Sequence, residues 1–140
     1  MTRDELVLAA LAPASGELHT PVQVQKLFFL IDQNVAHLIG GPFFDFEPYH
    51  YGPFDKSVYD ELSHLAMRGL VDVTRSRWNS YRLTVQGQER GAAILESLDP
   101  KAANYIRTAS KFVRDLSFTQ LVAAIYRAYP AMRERSVFQG

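Results

Sequence analysis

The chain of 140 residues has no cysteine, which removes disulfides, thiolate metal sites and thiol nucleophiles and excludes a small disulfide-stapled scaffold. It also lacks a long hydrophobic run. The densest apolar cluster, Leu27 to Ile31, is far too short to span a bilayer. The residues Met1, Thr2, Arg3, Asp4 and Glu5 have neither the basic start nor the apolar stretch of a signal peptide, so a cytoplasmic location without membrane attachment is expected. Net charge is missing as well: Lys and Arg number 15, and so do Asp and Glu. That balance argues against a protein that coats nucleic acid through many phosphate contacts.

What is present is an ordinary globular composition, 47% hydrophobic and 21% charged, which predicts one folded domain over residues 1–140. The charge is unevenly spread along it. Residues 1–67 hold three Lys or Arg against nine Asp or Glu, whereas residues 68–140 hold twelve against six. Two consequences are open: the halves attract each other on folding, or the second half presents a basic face.

Thr2 with Glu5 is a capping-box pattern, predicting a helix through Leu6, Ala9 and Ala10 that ends before Pro13. Thr20 followed by Pro21 opens the most strongly patterned helix, 21–39, with Val24, Leu27, Phe28, Ile31, Val35 and Leu38 at helical spacing. Gly40, Gly41 and Pro42 stop it. Phe43, Phe44, Phe46, Tyr49, Tyr51 and Phe54 then alternate with Asp45, Glu47, Pro48, His50, Gly52 and Pro53. So much proline and glycine predicts an irregular aromatic loop, with a short extended piece at 43–47. Asp55 is the expected cap of a third helix, 55–69, carrying Val58, Leu62, Leu65 and Ala66 on its apolar side and ended by Gly69. Residues 70–74 and 80–83 alternate as a β-hairpin with a polar tip at 75–79. Thr84, the pair Asp99-Pro100, and Ser117 with Gln120 each start a further helix, and Pro130 ends the last. The helix after Pro100 is expected to carry Tyr105, Ile106, Ala109, Phe112 and Val113 on one side and a basic stripe on another.

Three helices, a hairpin directly after the third, and appended helices predict a mainly α fold with a small β-hairpin: a winged helix-turn-helix core, 1–98, with a C-terminal helical extension, 99–140. The third helix then takes the recognition position and the tip at 75–79 is the wing. The long connection before the third helix is unusual for such a turn, which is commonly about 3–4 residues.

Several short stretches resemble the SocA-like, or Panacea, family of small prokaryotic and phage proteins, including the YwgA type. They are Lys26-Leu27-Phe28-Phe29-Leu30, Tyr51-Gly52-Pro53-Phe54, Val58 through Leu65, Gly69-Leu70-Val71, Tyr81-Arg82-Leu83-Thr84 with Gly87, Leu116-Ser117-Phe118, Ile125-Tyr126 and Tyr129-Pro130. The resemblance they carry spans most of the chain, and Tyr-Gly-Pro-Phe after an aromatic run is the most distinctive. The resemblance implies a helical winged-helix-like fold and a role in binding protein, as an antitoxin or adaptor in toxin–antitoxin or phage-defence settings. The implied partner is a toxin, a protease or another effector.

The residues supply their own candidates. On the third helix Lys56, Ser57, Asp60, Glu61, His64 and Arg68 are expected to face outward, and two acids in mid-helix make it a poor reader of DNA but a plausible protein-facing surface. At the wing, Arg75, Arg77 and Arg82 surround Trp78, which suits a phosphate backbone or a protein hot spot, unless Trp78 folds over the core. The predicted partner-binding set is Phe44, Phe46, Tyr49, Tyr51, Asp60, Glu61 and Trp78. The alternative is a DNA-binding regulator, a homodimer through its C-terminal helices, holding phosphates with Arg75, Arg77, Arg82, Arg107, Lys111 and Arg114, with Arg133 and Arg135 in the tail. Asp45, Glu47, His50 and Asp55 match no ligand spacing, and His19, His37, His50 and His64 form no H-E-x-x-H. No nucleophile elbow or phosphate loop is present. No catalytic residue, metal or cofactor is predicted.

Overall fold

The computed structural model describes residues 1–139. Within them lie six α-helices and two small antiparallel hairpins. No described helix is long and apolar enough to cross a membrane.

Helix α1, Arg3–Leu11, opens with the expected capping box: Glu5 N donates to Thr2 Oγ1 at 3.2 Å and Thr2 N donates to Glu5 Oε1 at 2.9 Å. All residues from Leu6 to Leu11 are buried, so beyond its first turn this helix is enclosed on every side instead of lying on a surface. Helix α2, Pro21–Asn34, has a second capping box, formed by Thr20 and Gln23. It stops short of the predicted residue 39, and a 3₁₀ turn follows at Ala36–Leu38. The Asn34 amide nitrogen lies 2.9 Å from Leu30 O and within hydrogen-bond distance of the Tyr105 and Tyr129 hydroxyls, sharing its two N–H groups among the three. Beyond it Val35, at φ −134°, has left helical geometry.

The aromatic segment is more ordered than its composition predicts. Asp32 anchors its start, its two carboxylate oxygens accepting from Phe43 N and Phe44 N at 2.9 Å each. Strands β1, Glu47–Tyr49, and β2, Gly52–Phe54, then pair as a hairpin in place of the expected loop. Pro48 faces Pro53 in this register. Two residues without N–H groups are tolerated because alternate pairs in an antiparallel ladder exchange no hydrogen bonds. The extended piece expected at 43–47 lies instead at 47–49.

Helix α3, Ser57–Met67, begins two residues after the predicted cap. Asp55 still organises the entry, accepting from Ser57 N at 2.8 Å and Ser57 Oγ at 2.7 Å. Buried Gln25 holds the Asp55 backbone from α2 through both its amide groups, at 3.0 and 2.9 Å. At the far end Gly69, φ 74°, lets Leu70 N reach Leu65 O and Gly69 N reach Ala66 O, a Schellman closure that glycine favours.

Strands β3, Val71–Arg75, and β4, Asn79–Leu83, form the predicted hairpin with Val73 opposite Tyr81. Tyr81 also exchanges both backbone hydrogen bonds with His19, at 2.7 and 2.9 Å. Helices α4, Val85–Ser97, α5, Pro100–Asp115, and α6, Phe118–Ala128, complete the chain with a 3₁₀ turn at Pro130–Arg133. On α5 the apolar side is Ala102, Ala103, Ile106, Ala109 and Val113; Phe112, expected with them, is exposed.

Helix α1 packs mainly against α4, and glycine sets the distance. A Cβ on Gly91 would sit 2.3 Å from Leu8 O, and one on Gly87 would sit 2.0 Å from Leu70 O. Gly87→Ala is therefore expected to cost about 3 kcal/mol in urea unfolding, the upper range for overpacking. An unchanged midpoint would show that α4 can shift freely. The charge asymmetry also has a structural expression: Arg68 reaches Asp4 at 2.6 Å and Arg114 reaches Glu17 at 3.5 Å, joining the basic half to the acidic one.

Candidate functional site

Five elements converge on one face around a cavity of about 560 Å³. Its floor is the first half of α2, with Val22, Gln25 and Lys26. One wall is the β1–β2 hairpin from Tyr49 to Phe54, backed by Tyr59 of α3. Trp78, from the turn between β3 and β4, and Leu116, Phe118 and Leu121 around the start of α6 complete it. The sequence builds this face from turns: Gly52, φ 108°, folds the hairpin, and the Ser117–Gln120 capping box fixes where α6 begins, so that Phe118 stands at its first position.

The aromatic rings form two chains. Tyr81, Tyr59, Phe54, Tyr49 and His50 contact in succession, ending with Tyr49 and His50 stacked at 4.1 Å. Opposite, Tyr51 meets Phe118 edge-on at 5.1 Å, and Phe118 meets Phe138 of the tail at 6.3 Å. The tail is tied to the hairpin turn, with Val137 N donating to His50 O at 2.9 Å. Four large side chains on this rim remain open to solvent: Tyr49 at 45%, Tyr51 at 44%, Trp78 at 52% and Phe118 at 45% exposure.

The floor carries one cation. Lys26 is 3% exposed, and among the described residues its ammonium has one polar partner, Pro53 O at 3.5 Å. Removal from water pushes its ammonium down to about 7 from an ordinary lysine value. Among the described residues no Asp or Glu lines the cavity, and no carboxylate forms an ion pair with Lys26.

The structure brings together Tyr49, Tyr51 and Trp78 from the predicted partner-binding set. Trp78 does not fold over the core. Phe44 is a correction: it is buried, tilted against Phe28 and Phe46 with the Arg3 guanidinium 4.8 Å above its ring. Phe46 is half-buried edge-on to Phe29. Asp60 is exposed and bonded to Lys56. Glu61 is half-buried, and burial first, then neighbouring Asp4, pushes its carboxyl up to about 7. Neither acid lines the cavity.

The basic candidates scatter. Arg75 and Arg77 are exposed beside Trp78 in sequence, and Arg82 lies 3.8 Å from Asp72. Lys111 pairs with Asp115, Arg114 with Glu17, and Arg107 reaches Asn104 at 3.5 Å. In the loop, Asp45 N donates to Asp55 Oδ2 at 2.7 Å, and no described group of three or more His, Asp or Glu is arranged to hold a metal.

Lys26 and Phe118 were not among the sequence candidates. The signal for Lys26 is its setting: Val22 precedes it and Leu30 follows it by one helical turn, and Leu27 and Phe28 adjoin it. A lysine on the most apolar helix is a residue to question. No family model matches the chain, and no curated protein is similar enough in sequence to serve as a relative.

Proposed function

We propose that this chain is a non-catalytic, cytoplasmic protein-binding module of the antitoxin or adaptor kind, which holds its partner across the aromatic rim of the cavity. The observation that carries this reading is the convergence of Tyr49, Tyr51, Trp78 and Phe118, exposed large rings delivered by three separate elements to one face. Clustered aromatic anchors around an apolar depression are the composition of a binding hot spot. The SocA-like resemblance supports the same class, with a toxin, protease or other effector as partner. The element order from α1 through β4 supports a winged helix-turn-helix core, in which β1–β2 is an insertion before the recognition-position helix α3.

A DNA-binding regulator draws less support. Arg82, Lys111 and Arg114 each have an acidic partner within the chain, and α3 presents Asp60 outward. Phosphate contact would have to displace these pairs.

The test is affinity purification of the tagged chain from its native cells, with and without nuclease, beside Tyr49→Ala and Trp78→Ala variants checked by circular dichroism. A stoichiometric protein should survive nuclease treatment and bind each folded variant about 30-fold more weakly, the loss of one hot-spot side chain. Undiminished binding by both variants defeats the reading. Recovery of nucleic acid, with proteins lost on digestion, transfers the function to DNA.

A further inference from the structure

Beneath the rim, the cavity floor holds a buried lysine among apolar walls. We infer that the cavity is a binding site for a small monocarboxylic acid with an apolar body, whose carboxylate pairs with Lys26 Nζ. This goes beyond the partner reading, and its test needs no partner.

The volume, about 560 Å³, lies within the range of small-molecule sites. Val22, Phe54, Trp78, Phe118 and Leu121 offer carbon surface to the ligand body. The charge logic is one-sided: among the described residues the lining holds a buried lysine and no carboxylate. A buried cation with only a carbonyl at 3.5 Å is under-satisfied, and a ligand carboxylate supplies the counter-charge and a charge-assisted hydrogen bond.

The same walls select against other ligands. A phosphate would bring a second charge and several acceptor oxygens, and the floor has one cation to meet them. A peptide would bring N–H and C=O groups whose burial against rings and aliphatic chains is costly unless they are paired. A neutral apolar molecule would fill the space but leave Lys26 as it is.

Trp78 is the only tryptophan and lines the cavity, so its fluorescence reports occupancy. The full chain would be titrated with octanoate and 4-phenylbutyrate, with their neutral amides, and with the capped tripeptide acetyl-Leu-Phe-Leu amide. Saturable change is expected with both acids, with each amide at least about tenfold weaker, the effect of one charge-assisted contact. In Lys26→Met the acid should lose its advantage over the amide while the amide still binds. The comparison of acid with amide on the natural chain stands whether or not that variant folds. Equal binding of acid and amide, no saturable response to either acid, or acid preference kept in Lys26→Met would each overturn the inference. Binding of the tripeptide alone would reassign the cavity to partner docking.

Discussion

Lys26→Met is expected to be more stable than the natural chain by about 4 kcal/mol at pH 7. The lysine is ordinarily charged to about pH 10.5 when unfolded, and burial lowers that to about 7 in the folded state. A shift of this size corresponds to roughly 5 kcal/mol of stability withheld at and below pH 7. Methionine keeps an apolar stem and carries no charge to desolvate; the loss of a donor to Pro53 O returns about 1 kcal/mol of the gain. The unfolded chain binds the extra proton, so the natural chain recovers stability as pH rises from 7 towards 10.5 and the gap between the two proteins closes. Urea unfolding of both at pH 7 and pH 10 measures this. A variant less stable than the natural chain at pH 7 would mean that Lys26 contributes to the fold. A side chain that weakens the fold while lining a cavity fits a binding role.

Acid should act on a second buried titratable group, His19. His19 is fully buried, and neither ring nitrogen makes a hydrogen bond of ordinary geometry. Burial, followed by the nearby Arg114 charge, lowers its imidazole from 6.5 to about 4. The folded chain therefore keeps it neutral while the unfolded chain protonates it. Its contribution is complete above about 6.5 and lost as pH falls towards 4, amounting to about 3 kcal/mol. Comparing unfolding of the natural chain and His19→Leu at pH 7 and pH 4 isolates this from the carboxylates, which titrate in both. The difference between the two should shift by about 3 kcal/mol in favour of the leucine variant. A constant difference would show that His19 is already protonated or solvated in the folded chain.

Both residues show where sequence reading stops. Helix starts were legible because they are local: Thr2 with Glu5, Ser117 with Gln120, and Thr20 before Pro21 place their own hydrogen-bonding groups within one turn. The β3–β4 hairpin was legible because its alternation is regular. The β1–β2 hairpin was not, because Pro48 and Pro53 read as breakers until register shows them facing each other. Within the aromatic segment the chain offers six similar rings, and composition cannot separate Phe44, buried beside Asp32's anchor, from Tyr49 and Tyr51 at the turn. Tyr49, Tyr51 and Trp78 were identified as candidates from residue type, but their meeting around one cavity depends on contacts between distant segments. Lys26 belongs to that category too: its charge is plain in the sequence and its lack of a counter-charge is a property of the whole fold.

The enclosure of α1 has a consequence in time. The apolar stretch Leu6 to Leu11 is covered mainly by α4, yet Gly91, where α4 approaches Leu8 O, follows some eighty residues later in synthesis. At ribosomal speeds of about 5–20 residues per second, that stretch waits several seconds for its cover. A nascent chain stalled before α4 is emitted would display these six side chains to holdase chaperones, and one released after it would not. The α1–α4 contact is of high sequence separation, so folding slower than the helix content alone suggests is expected.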